Sequence, residues 1–259
     1  MELLITIIVC LVAGLGAGLG TGFAGLSAAA VITPMLVTFL DMPAYSAVGI
    51  ALASDVLASA VSAYTYHKNK NIDIKNGIVM MVSVLIFTMV GSWIASFLPN
   101  VAMGGASVFM TMMLGVKFII KPVNTTKEAM AAVSPKKRLI QSLLCGTMIG
   151  FICGFVGAGG GMMMLMMLTV VLGYELKTAV GTSVFIMTFT ALTGSISHFV
   201  IDHEMPDLLV LALCIIFTLI FARLGARFAN KASTKTLNRA TGIILVLLGV
   251  IVLGVGSLT

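Results

Sequence analysis

Apolar residues run along this chain in long blocks. Segments can be drawn at about 3–22, 25–40, 44–66, 75–97, 101–120, 138–156, 160–172, 176–199, 206–229 and 238–257. Blocks without a polar residue at every second position suit helices and not the two-residue period of an outer-membrane barrel. Most reach the roughly 20 residues that a helix needs to cross the hydrocarbon core. The second and seventh are short, and each follows a glycine cluster. The pattern predicts an all-α polytopic membrane protein of ten segments, whose two short ones either span or turn back as re-entrant hairpins.

Composition agrees: 59% of the 259 residues are hydrophobic and 9% charged, against about 25% charged in a soluble protein. The formal charge of +6 raises nucleic acid as a partner, but the basic residues cluster in short loops and helix ends and form no long tract. They read instead as topology signals. Three lysines lie in His67–Lys75, six basic residues in Lys117–Arg138 and five in Arg223–Arg239, whereas the Ile201–Asp207 loop is acidic. If basic loops are cytoplasmic, the alternation holds for ten segments and both termini face out. The N-terminus MELLITIIVC has no basic stretch before its apolar run, which argues against a cleaved signal peptide. Cys10, Cys145, Cys153 and Cys214 all lie in apolar runs without metal-ligand spacing and read as packing residues.

The chain contains a second copy of its own pattern. The offset of 132 that takes Ala47-Val48-Gly49 to Ala179-Val180-Gly181 also pairs Gly14 with Gly146, Gly18 with Gly150, Gly22-Phe23 with Gly154-Phe155 and Gly25 with Gly157. This divides the chain into a first repeat (1–121), a cytoplasmic connecting loop (122–137) and a second repeat (138–259). Five segments per repeat is an odd number, so the second copy inserts upside down. Inverted repeats of this kind commonly build transporters whose broken helices meet at mid-membrane around the substrate.

The stretch Gly154–Gly161 puts five glycines into eight positions; at roughly 1 kcal/mol each, a uniform helix there would lose about 4–5 kcal/mol. No nucleotide motif is intact, since Met162 stands where G-x-G-x-x-G needs its last glycine. A glycine-cluster hairpin, a short helix and an A-V-G start to the next helix, present twice around a basic loop, together resemble the sulfite exporter TauE/SafE family, also called the 4-toluene sulfonate uptake permeases. Gly154-Phe155-Val156-Gly157-Ala158-Gly159-Gly160-Gly161 and Ala179-Val180-Gly181-Thr182-Ser183 carry the likeness, which covers essentially the whole chain. The first half departs from it at Leu26-Ser27-Ala28-Ala29-Ala30, although Pro34 is kept. The resemblance implies a permease for sulfite, sulfonates or related small sulfur-containing acids, and hence an anionic substrate.

Two readings of the glycines stand side by side. Gly14, Gly18 and Gly22 have the four-residue spacing of close helix packing. Gly159, Gly160 and Gly161 precede a short helix whose start carries partial positive charge and free N–H groups, suited to an oxyanion; hairpin packing is the alternative. The first half's short helix, starting near Ser27, would point inward from the opposite side. Thr182 and Ser183 add hydroxyls, so the candidate substrate residues are Ser27, Gly159, Gly160, Gly161, Thr182 and Ser183. Asp55 lies in an apolar segment, where a carboxylate costs roughly 2.5–3.5 kcal/mol at the helix centre. It is either a proton- or cation-coupling group or a structural acid held by hydroxyls. Arg223 and Arg227 are four apart on one helix and could form an anion vestibule or snorkel to headgroups. His198 and His203, beside Asp202 and Glu204, read as a solvated loop or a pH- or metal-sensing group.

The nineteen methionines read as flexible apolar filler and not as a soft-metal path, since Cys and His ligands do not accompany them. One deep acid and no H-E-x-x-H exclude the usual intramembrane proteases, so no enzyme and no cofactor is expected. The expected function is secondary transport of a small anion by alternating access in the cytoplasmic membrane; a small-anion channel is the alternative. Expected partners are the anion, the bilayer and, as one option, a second copy in a homodimer, but not nucleic acid.

Overall fold

Glycine and small polar residues punctuate the helices. A computed structural model describes residues 2–95, 112–113, 115–156, 160–202 and 206–256, and all the secondary structure in it is helical. The elements are α1 (Glu2–Ala24), α2 (Ala29–Leu40), α3 (Ala44–Lys68), α4 (Ile74–Ala95), the short α5 (Lys127–Ala131) and α6 (Pro135–Val156). Then come α7 (Gly160–Met166), which widens into a π turn over Met167–Val171, and α8 (Leu176–Asp202), α9 (Leu208–Lys231) and α10 (Thr234–Gly256). Residues 115–120 are helical too, and most of the fifth apolar segment lies outside the described residues.

Short side chains open the helices by accepting the first free amides. The Asp73 carboxylate accepts from Asn76 N (3.2 Å) at α4, and Asp207 accepts from Leu209 N (2.9 Å) and Val210 N (3.1 Å) at α9. Ser233 does the same for Thr236 N at α10 (3.2 Å). α1 ends where Gly25 takes φ +62. There the Leu26 amide donates to Gly20 O (3.2 Å) and the Gly25 amide to Thr21 O (3.0 Å), the two-bond close of a helix that needs a left-handed residue.

Five helices are long and apolar enough to cross a membrane among the described residues: those containing Leu3–Ala24, Ala44–Lys68, Ile74–Gly91, Leu176–Ile196 and Leu208–Lys231. α2, at 12 residues, is about 18 Å long and cannot cross a core of about 30 Å. The apolar run drawn from residue 25 is helical only from Ala29, because 25–28 form a turn.

Packing is inside-out relative to a soluble protein. On α1, Leu4, Ile8, Leu11 and Leu15 form an exposed face, while Cys10, Ala13 and Ala17 are buried. The buried side runs along α9. A Cβ at Gly14 would stand 2.6 Å from Phe217 Cβ, one at Gly18 2.6 Å from Thr218 O, and one at Gly22 2.6 Å from Ala222 O. These glycines therefore serve close helix approach, as their spacing suggested. α6 lies along α4 in the same manner, with Gly146 against Met80 O (2.8 Å) and Gly150 against Val84 O (2.5 Å). α3 packs against both α8 and α9 and carries a buried polar face of Ser54, Asp55, Ser59 and Ser62.

Candidate functional site

The turn between α1 and α2 lies deep in the bundle, where water cannot satisfy backbone groups, so side chains from other elements must. The Tyr66 hydroxyl donates to Gly22 O (2.9 Å), Thr241 to Phe23 O (3.3 Å), Thr21 to Leu26 O (2.8 Å) and Ser183 to Gly25 O (3.1 Å). Four carbonyls freed by the break thus have partners from α1, α3, α8 and α10. A break supplied this thoroughly is a built feature.

Asp55 stands near the midpoint of the 25-residue α3 and is 1% exposed. Its carboxylate accepts from Ser27 Oγ (2.6 Å) and from Ser59 Oγ (2.8 Å), and the Ala28 amide faces it as well. Ser27 Oγ also accepts from Ala29 N (3.3 Å) at the first turn of α2. The acid therefore sits against the start of α2, where the helix dipole favours negative charge. Two hydrogen bonds to a charged group, at about 1.5–3 kcal/mol each, match the insertion cost of a mid-membrane carboxylate, roughly 2.5–3.5 kcal/mol. α2 and α7 contain no ionisable residue. Lys177 on α8 and Arg223, Arg227 and Lys231 on α9 lie toward the helix ends.

The second half meets this point from the other side. A Cβ at Gly161 would stand 2.7 Å from Ser27 N, 2.9 Å from Gly25 O and 2.9 Å from Met187 Sδ. The beginnings of α2 and α7 are therefore in backbone contact, and only glycine at 161 allows it. Gly25 is equally constrained, since a Cβ there would lie 3.0 Å from Ser183 Cβ. Gly160 differs: among the described residues, Cys153 Sγ at 3.4 Å is the only neighbour a Cβ would meet.

Ser27, Gly161, Ser183 and Asp55 are thus gathered in one place, with Gly160 at its edge. Gly159 lies outside the described residues, as do His203, Glu204 and the side chains of His198 and Asp202. Thr182 is buried, but its hydroxyl accepts from Asp73 N (3.1 Å) in the α3–α4 loop. Gly181 beside it admits the Asn71 carbonyl of that loop at very close range. Arg223 and Arg227 are exposed, on the side of α9 turned away from α1. Sequence reasoning missed Ser59, although a hydroxyl four residues after a buried acid on a helix is a usable signal. It also missed Tyr66, Met187 and the role of Asn71, which only tertiary contacts reveal.

Broken half-length helices, a deep hydroxyl-held carboxylate and a lipid-facing apolar exterior define a multi-pass helical membrane protein with an internal polar site. The chain belongs to the sulfite exporter TauE/SafE family, whose model matches residues 10–252. It is 26% identical over 269 residues to the probable membrane transporter protein YunE of Bacillus subtilis, covering 96% of both chains. It is 22% identical over 232 residues to YdhB, another probable membrane transporter protein of that organism, covering 90% of this chain and 94% of the relative. The probable membrane transporter protein MJ0441 of Methanocaldococcus jannaschii is 27% identical over 220 residues, covering 80% of this chain and 78% of that one. No solved structure matches the chain. Family and relatives together support a membrane transporter.

Proposed function

We propose that this protein is a secondary carrier for a small sulfur-containing anion, such as sulfite or an organosulfonate. It works by alternating access, and Asp55 couples transport to protons. The observation that carries the reading is the meeting of Ser27, Asp55 and Gly161 at the facing starts of two half-length helices. An anion at that place competes with ionised Asp55 for the same donors: Ser27 Oγ and the first amides of α2. Protonating Asp55 removes the repulsion and frees those donors, so anion and proton bind together. With no nucleotide motif in the sequence, the driving force is an ion gradient, here of protons, the substrate gradient or a partner.

An inverted repeat supports alternating access, because two copies of one unit can exchange conformations across the membrane. Shifted by 132 residues, α2 falls on α7 with its π turn, and α3 on α8, to within a few residues. Asp41 (φ 49) and Gly173 (φ 64), also 132 apart, each follow a short helix in the left-handed conformation. The first helix of each half packs on the fourth of the other, α1 on α9 and α6 on α4. The basic loops converge on one end of the bundle through Lys70, Lys127, Lys177 and Asn230. We take that end as cytoplasmic, which puts both termini outside.

The test is the pH profile of binding, using an alkanesulfonate whose own charge is constant. If the anion needs protonated Asp55, its affinity in the parent falls as pH rises, by up to about tenfold per unit for one proton. Asp55→Asn, permanently neutral, should bind with a flat profile. A parent profile already flat, or one unchanged in Asp55→Asn, would remove Asp55 from coupling.

A further inference from the structure

The α3–α4 loop, residues 69–73, is wedged into the start of α8 and tied to three other elements at the basic end. Its Asn71 is 4% exposed, and the Asn71 carbonyl occupies the space that Gly181 leaves open. Asp73 N donates to Thr182 Oγ1 (3.1 Å), and the Tyr174 hydroxyl donates to the Asp73 carboxylate (2.8 Å). Burial and the neighbouring Asp73 charge raise the Tyr174 pKa above the ordinary phenol value, so this bond keeps its donor across the physiological range. Asn71 Nδ2 donates to Asn230 Oδ1 on α9 (2.7 Å), and Lys177 Nζ donates to Asn230 O (2.9 Å). From the segment joining the two halves, Lys127 Nζ reaches both Lys70 O (3.1 Å) and Asn71 Oδ1 (2.5 Å).

This arrangement joins the first half, the connecting segment and the second half at one end through polar bonds, with Ile72 of the loop packed against the apolar core beneath them. Polar bonds near water are cheap to exchange for solvent, which suits a contact that must open and close. The Gly181 notch does two things at once: it lets Tyr66 of α3 approach α8, and it admits the Asn71 carbonyl of the loop, the closest atom to it. The geometry points to the 69–73 loop as the gate of the basic end, seated in the Gly181–Thr182 notch, with Lys127 as its latch. In the structure described here the gate is shut. The inference rests on the carrier reading for its purpose, but its geometry can be tested without any substrate.

Ser62 lies one helical turn deeper than Tyr66 on α3, is wholly buried, and its hydroxyl has no partner among the described residues. Tyr66 itself lines the notch, since a Cβ at Gly181 would stand 2.9 Å from Tyr66 Cβ. Ser62→Cys is therefore a small change that reports on opening at this end. The full chain carrying Ser62→Cys is reconstituted into liposomes and treated with a membrane-impermeant maleimide, without substrate. Labelling at residue 62 is read by mass spectrometry of its peptide. Adding Lys127→Met should speed labelling about tenfold, the population shift expected from losing a hydrogen bond to a charged group. Asn230→Leu, from the other half, should act in the same direction, whereas Lys127→Arg, which keeps the donors, should label close to the parent rate. Equal labelling in the parent, Lys127→Met and Asn230→Leu overturns the latch. Anion flux is measured separately on the same vesicles, so loss of flux with the labelling pattern intact counts against the carrier reading alone.

Discussion

The two short helices meet near their starts and differ in chemistry. At the start of α2 a charged group is present and fully supplied: Asp55 takes Ser27 Oγ and Ser59 Oγ. At the start of α7 the position 132 residues on from Asp55 is Met187, whose Sδ lies against Gly161. The hydroxyl that reaches this side, from Ser183, faces both Gly25 O (3.1 Å) and Met187 Sδ (3.7 Å). One half thus holds an ionisable group with its donors, and the other holds glycine and a soft apolar side chain that lets the helices touch. Among the described residues, the ionisable group at this contact therefore stands on one side alone, which suits the proposed carrier if a single proton accompanies a single anion.

Making the second half resemble the first should be the most damaging change. Met187→Asp introduces an acid at bilayer depth beside one hydroxyl, Ser183, that already donates to Gly25 O, at a cost of roughly 2.5–3.5 kcal/mol. Thermal unfolding in detergent should report the loss, with Met187→Leu close to the parent; a stable Met187→Asp protein would mean that this side is wetter than the contacts indicate. Next is the backbone contact. Gly161→Ala forces a methyl to within 2.7 Å of Ser27 N and should cost about 1–3 kcal/mol as overpacking does. Gly160→Ala should be nearly silent in the same assay, and equal effects at 160 and 161 would contradict the facing-start geometry. The smallest effect is expected at Ser183→Ala, which leaves Gly25 O without its donor and should cost about 0.5–1.5 kcal/mol. Restoration by Ser183→Thr, with no restoration by Ser183→Cys, would tie that loss to the hydroxyl.

The helices were largely legible in the sequence because a membrane span is a one-dimensional signal: about twenty apolar residues between polar or glycine stops. Consecutive glycines, expensive in any continuous helix, marked the second short helix, whereas Gly14 to Gly22 stay inside the continuous α1 and only Gly25 marks the break before α2. The partners of Asp55 were legible only in part. Ser59 shares its helix face, but Ser27 lies 28 residues away, and no local period links the two. Thr182 shows the opposite failure. Its place beside Ser183 suggested a shared role, yet neighbouring residues on a helix point about 100° apart, and its hydroxyl serves the 69–73 loop. The A-V-G-T-S stretch therefore does two jobs on two faces: Gly181 and Thr182 seat a loop, and Ser183 holds the break before α2.

The central claim is an anion carrier whose site lies where the two helix starts meet, and counterflow tests it most directly. Proteoliposomes containing the protein are loaded with unlabelled sulfite, diluted into a trace of labelled sulfite, and competed with sulfate, taurine and aromatic or aliphatic sulfonates. The account predicts transient accumulation of label by the parent, inhibition by at least one sulfur anion, and no accumulation by a folded Gly161→Leu variant. Absence of counterflow with every sulfur anion, from parent protein shown to be folded, would contradict it.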